Sequence, residues 1–65
     1  MNKLIRLLDM HFRADRIESV RLIDDEIVVV CESDPSDPYI FEYSSDAAAK
    51  ADYLRFVQDW NAAIQ

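Results

Sequence analysis

The chain contains no glycine. Every turn is therefore built without the residue that takes a positive φ most cheaply, and Asp and Asn are the next best choices. The same absence removes any phosphate-cradling glycine loop, so P-loop and dinucleotide-fold readings fall away. Cysteine occurs once, as Cys31, and histidine once, as His11. A lone cysteine forms no intrachain disulfide. A zinc site wants three or four clustered ligands, so a site made of Cys and His within one monomer is excluded. Long apolar runs are also missing. The longest, Ile27-Val28-Val29-Val30-Cys31, is five residues, against the roughly 20 that a membrane span needs. No stretch reads as a signal peptide, because Arg6 and Asp9 break the apolar segment behind Lys3. The expected location is the cytoplasm, without membrane contact.

Basic residues are missing from the middle of the chain. Residues 24–46 hold eight acidic side chains and no Lys or Arg, whereas residues 1–23 carry five Lys or Arg against three Asp or Glu. The net charge of −6 thus hides a strong asymmetry. An acidic middle argues against direct nucleic-acid binding, since phosphate contacts need Lys and Arg. It suits a basic protein surface, or simply keeps a small protein soluble.

What is present is a foldable composition. Of the 65 residues, 51% are apolar, so the chain folds rather than staying disordered. A chain this short makes one domain and buries only about 60% of the surface its unfolded form exposes. That leaves little room for an enclosed cofactor cleft.

The clearest element is a helix over residues 45–64. Ser44 and Ser45 offer hydroxyl caps, Asp46 favours the positive end of the helix dipole, and Ala47-Ala48-Ala49 have high helix propensity. Ala51, Leu54, Val57 and Ile64 form the expected apolar stripe, flanked by Tyr53 and Trp60. Upstream the period shortens. Strands are expected near 17–23, 27–32 and 39–43, with Asp24-Asp25-Glu26 as a hairpin turn. Alternation in the first of these puts Glu18, Val20 and Leu22 on one face, and Ile17, Ser19, Arg21 and Ile23 on the other. Ile27–Cys31 is apolar throughout, which suits a strand covered on both faces. Both prolines, Pro35 and Pro38, fall in the loop before the last strand. Residues 3–13 fit two readings. Leu4, Ile5, Leu8 and Phe12 suit a helix face; a strand near 3–8, a turn at Asp9-Met10 and a return strand at His11-Phe12-Arg13 suit a hairpin.

The run Lys3-Leu4-Ile5-Arg6-Leu7, continued through Phe12-Arg13-Ala14-Asp15-Arg16-Ile17-Glu18-Ser19-Val20, resembles the opening of small bacterial and phage-encoded families, FlbD-type flagellar-operon proteins among them. The resemblance rests on apolar positions and turns and carries no chemistry. The chain lacks the Asn and Gly turn residues common in those proteins. The resemblance implies a strand at residues 3–8, then a β-meander, then a C-terminal helix. The expected fold class is therefore α+β: four or five short antiparallel strands with one amphipathic helix packed on the sheet.

Candidates for chemistry are few. Cys31 and His11 make a poor nucleophile and base without an oxyanion loop. Neither Asp24-Asp25-Glu26 nor Asp34 with Asp37 has the spacing of a calcium loop. Tyr39, Phe41 and Tyr43 alternate along a strand, as base-stacking residues do, but Asp37, Glu42 and Asp46 surround them where a basic groove would be needed. No catalytic, metal or cofactor site is expected. The expected function is protein–protein interaction by a non-enzymatic homodimer, with Asp24, Asp25, Glu26, Tyr39, Phe41 and Tyr43 as the candidate surface. The rival reading is an acidic, phage-type inhibitor that mimics nucleic acid toward a basic protein.

Overall fold

The computed structural model describes residues 3–64. In chain order the elements are β1 (Leu4–Leu7), β2 (Met10–Arg13), a 3-10 turn (Ala14–Arg16), β3 (Ile17–Ile23), β4 (Glu26–Cys31), β5 (Tyr39–Glu42) and α1 (Asp46–Ile64). The fold is α+β. Antiparallel strands form a two-stranded sheet, β1-β2, and a three-stranded sheet, β3-β4-β5, and the C-terminal helix packs against them.

The N-terminal segment is a hairpin. Ile5 and Leu7 are buried while Leu4, Arg6 and Leu8 are exposed, so period-two alternation prevails over the helical spacing of Leu4, Leu8 and Phe12. Leu7 pairs with Met10, which places the turn at Leu8-Asp9 rather than Asp9-Met10. The second hairpin closes the same way. Ile23 pairs with Glu26, so the turn is Asp24-Asp25 and Glu26 opens β4. Each turn has its first residue at positive φ, Leu8 at 54° and Asp24 at 54°. Two-residue hairpin loops need this twist, and without glycine other residues must supply it.

A register shift between Ile17 and Ser19 interrupts the pairing of β3 with β4. One extra residue reverses the alternation. Ile17 thereby joins Val20 and Leu22 on the inner face, and is buried there, instead of lying opposite them as strict alternation implies.

Helix α1 starts at a serine cap: the Ala48 amide donates to Ser45 Oγ at 3.1 Å, satisfying one of the orphan amides of the first turn. The buried face is not the expected stripe. Ala49 and Phe56 are its fully buried residues, and Tyr53, Trp60 and Ala63 pack beside them. Ala51 is exposed, and Leu54 and Ile64 are 50% and 55% exposed. A Phe and a Trp four residues apart cover more core than the Ala-Leu-Val row on the other side, so the helix turns that side inward.

The core joins Ile5, Leu7 and Phe12 of the hairpin, Ile17, Ile27, Val29 and Phe41 of the three-stranded sheet, and Phe56 of the helix. Phe12 sits at the junction, edge-to-face with Tyr39 at 5.3 Å and with Phe41 and Phe56 at 6.0 Å each.

Candidate functional site

The pairing register sorts every side chain of the three-stranded sheet. Leu22, Ile27 and Phe41 align across the inner face, as do Val20, Val29 and Tyr39. The outer face carries Ser19 beside Val30, then the row Arg21, Val28, Ile40, then the row Ile23, Glu26, Glu42. No residue of this outer face is buried. Ile23 is 47% and Ile40 57% exposed. The apolar strand Ile27–Cys31 is thus covered on one side only, since the hairpin that could have covered the second face packs with the helix on the first.

The acidic candidates gather at one end of this sheet. Asp24 and Asp25 form the turn, Glu26 follows, and Glu42 lies directly across from Glu26. The Tyr43 amide donates to the Asp25 carbonyl at 2.9 Å, holding the end of β5 against the turn. Like charges directly opposite on a sheet destabilise it. The aromatic candidates part company. Tyr39 is exposed, Phe41 is 9% exposed and belongs to the core, and Tyr43 packs against that core. Phe41 therefore supports the sheet from inside and offers no contact surface.

Tyr43 reaches instead into a polar network at the helix. Its hydroxyl donates to Asp52 Oδ2 at 2.5 Å. Arg55 Nε donates to Asp52 Oδ1 at 2.9 Å, Nη1 to Asp59 at 2.7 Å, and Nη2 to the Arg6 carbonyl at 2.9 Å. Partial burial raises the Asp52 carboxyl, but hydrogen bonds from Tyr43 and Arg55 outweigh it and hold the group below its usual range. Burial, then the hydrogen bond to Asp52, pushes the Tyr43 hydroxyl well above the usual phenol range. These groups satisfy one another, so the network fastens α1 to β1 and to the segment after β5.

A groove of about 330 Å³ opens at the other side of the hairpin. Met10, His11, Phe12 and Arg13 form one wall, and Arg16, Cys31, Ser33 and Tyr39 the other. The structure thus brings His11 and Cys31 to the same groove. Burial raises the Cys31 thiol, the opposite of what a thiolate nucleophile requires. Among the described residues, no three His, Cys, Asp or Glu side chains converge to hold a metal ion. No helix among them is long and apolar enough to cross a membrane.

Sequence reasoning did not find the groove, because its two walls meet only through tertiary packing. The one signal for it was the excess of Arg over acid in the first 23 residues. Set against protein families, characterised proteins and solved structures, the chain matches none of them.

Proposed function

We propose that the chain is a small, non-enzymatic, cytoplasmic binding protein that acts as a homodimer, with two copies meeting through the outer face of β3-β4-β5. The observation that carries this reading is the apolar patch of the outer face, where Ile23 and Ile40 are exposed and Val28 and Val30 are half-buried. Contiguous apolar surface of this kind marks interaction sites. Charge supports a second copy as the occupant. Arg21 stands at the β3 edge, and Glu42, paired with Glu26, at the β5 edge. A twofold axis parallel to the strands lays β3 of one copy over β5 of the other. Arg21 then lies over Ile40 of the second copy, one row from its Glu42, within reach of that carboxylate for a long side chain. Three strands of four to seven residues, spaced about 4.8 Å apart, give a face of at most roughly 14 × 20 Å. Two such faces bury roughly 560 Å² in all, below the area of a stable specific interface, so the dimer is a weak, transient one that forms only at high micromolar concentrations. The resemblance to FlbD-type proteins supports a bacterial or phage setting. Sedimentation equilibrium tests the reading: wild-type protein should exceed 7.6 kDa as concentration rises, and Ile40→Glu should stay monomeric. A wild-type monomer at high micromolar concentration sinks it.

The acidic sheet end favours a second reading, a contact with a basic protein. Asp24, Asp25, Glu26 and Glu42 converge there with no Lys or Arg among residues 24–46. Replacing Asp24, Asp25 and Glu26 by Asn, Asn and Gln should then weaken binding of an oligolysine probe, and salt should weaken it in the wild type. Equal binding by both proteins removes this reading.

A further inference from the structure

The groove beside the hairpin has a wall of unusual construction. All four residues of β2, Met10 to Arg13, line it, so it runs along the strand rather than across it. Among the described residues β2 pairs with β1 alone. The edge facing the groove is therefore without a partner strand. Four residues of edge extend for about 13 Å, enough for a short extended segment.

The groove also has a chemical bias. In a chain of net charge −6, the groove is lined by Arg13, Arg16 and His11 and by no acidic side chain. Arg13 stands 3.7 Å from Asp15, which lies outside the lining, and Arg16 is in none of the ion pairs seen among the described residues. Met10, Phe12, Cys31 and Tyr39 supply apolar and aromatic surface between these polar groups. Extended peptides are recognised in this way: main-chain hydrogen bonds to a free strand edge hold the backbone, and surfaces for alternate side chains select the sequence.

We propose that the groove is a docking site for an extended acidic peptide, which adds to the free edge of β2 and places its carboxylates at Arg13 and Arg16. A nucleic acid would need a longer basic track than these residues offer. The site lies on a different surface from the outer sheet face, so the two can be occupied independently.

Amide chemical-shift titration of the whole protein tests the assignment. The probes are a capped six-residue peptide alternating valine and glutamate, its lysine counterpart, the acidic peptide with a central proline, and oligothymidylate. The acidic peptide should shift the amides of Met10 to Arg13 and of Ser33. At the β2 amides the lysine and proline versions should bind about tenfold more weakly or worse, because they lose charge complementarity and a main-chain donor respectively. Arg16→Glu, a change at an exposed side chain, should weaken the acidic peptide by about tenfold. Ile40→Glu should leave its binding unchanged. The proposal is overturned if the acidic peptide causes no shifts in β2, if the lysine or proline peptide shifts the β2 amides at equal concentration, or if oligothymidylate occupies the groove in its place.

Discussion

At the scale of single residues, strain and hydrogen bonding give the sharpest expectations. Leu8 holds φ at 54°, a conformation that costs an L-residue with a Cβ roughly 1–2 kcal/mol. Its side chain is exposed, so little packing is lost on replacing it. Leu8→Asn should raise stability by about 0.5–1 kcal/mol in urea denaturation, since Asn tolerates this region. An unchanged or lowered midpoint would show that the turn stores no strain. Tyr43 and Asp52 give a pH dependence. The Asp52 carboxyl is depressed in the folded state, so its contribution is present above the unfolded value of about 3.9 and fades as pH falls through the folded one. The Tyr43 hydroxyl is raised, so its contribution is full below about pH 10 and fades as pH climbs past it. Tyr43→Phe should cost about 1–2 kcal/mol at neutral pH and flatten the alkaline limb of the stability profile. A variant that keeps the wild-type alkaline decline would show that the bond to Asp52 is not its source.

Among elements, the sequence was readable wherever one local pattern dominated. The Ser45 cap, the alanine run and the acid-rich turn at Asp24-Asp25 announce their structures directly, as does the proline-bearing loop before β5. Legibility failed where the outcome depended on a partner. The helix has apolar residues on two sides, and the choice between Leu54 and Phe56 as the inward one is made by Phe12, which awaits an edge-on ring 6.0 Å away. The bulge at Ile17 is invisible to alternation because it is a departure from alternation. It exists to bury an isoleucine that strict pleating would leave on the wet side. In the candidate surface the same limit applies: the acidic turn was legible as an exposed cluster, whereas Phe41 and Tyr43 could be assigned to core or contact only once the helix was in place.

For the molecule as a whole, smallness sets the tolerance. A domain of this length has a net stability of about 3–10 kcal/mol. Phe56 is 0% exposed and meets both the hairpin and the sheet. Phe56→Ala should cost about 3–5 kcal/mol and leave most of the chain unfolded at body temperature. Leu54→Ala, on the exposed side of the same helix, should change the midpoint by less than about 1 kcal/mol. Circular dichroism melts of the two variants check the contrast, and the reverse ranking would mean that the helix presents its other side. The long-range bonds of the helix have a further consequence for how the chain is made. Trp60 Nε1 donates to the Ala14 carbonyl and Arg55 Nη2 to the Arg6 carbonyl. The hairpin is translated before the helix, yet the core around its inner side chains Ile5 and Leu7 is completed by Phe56 of that later element. A nascent chain therefore carries an uncapped greasy hairpin until the helix leaves the ribosome. Closure of the core therefore waits for the helix to emerge, and ribosome-associated chaperones that shield short apolar hairpins would meet the hairpin before its own helix does.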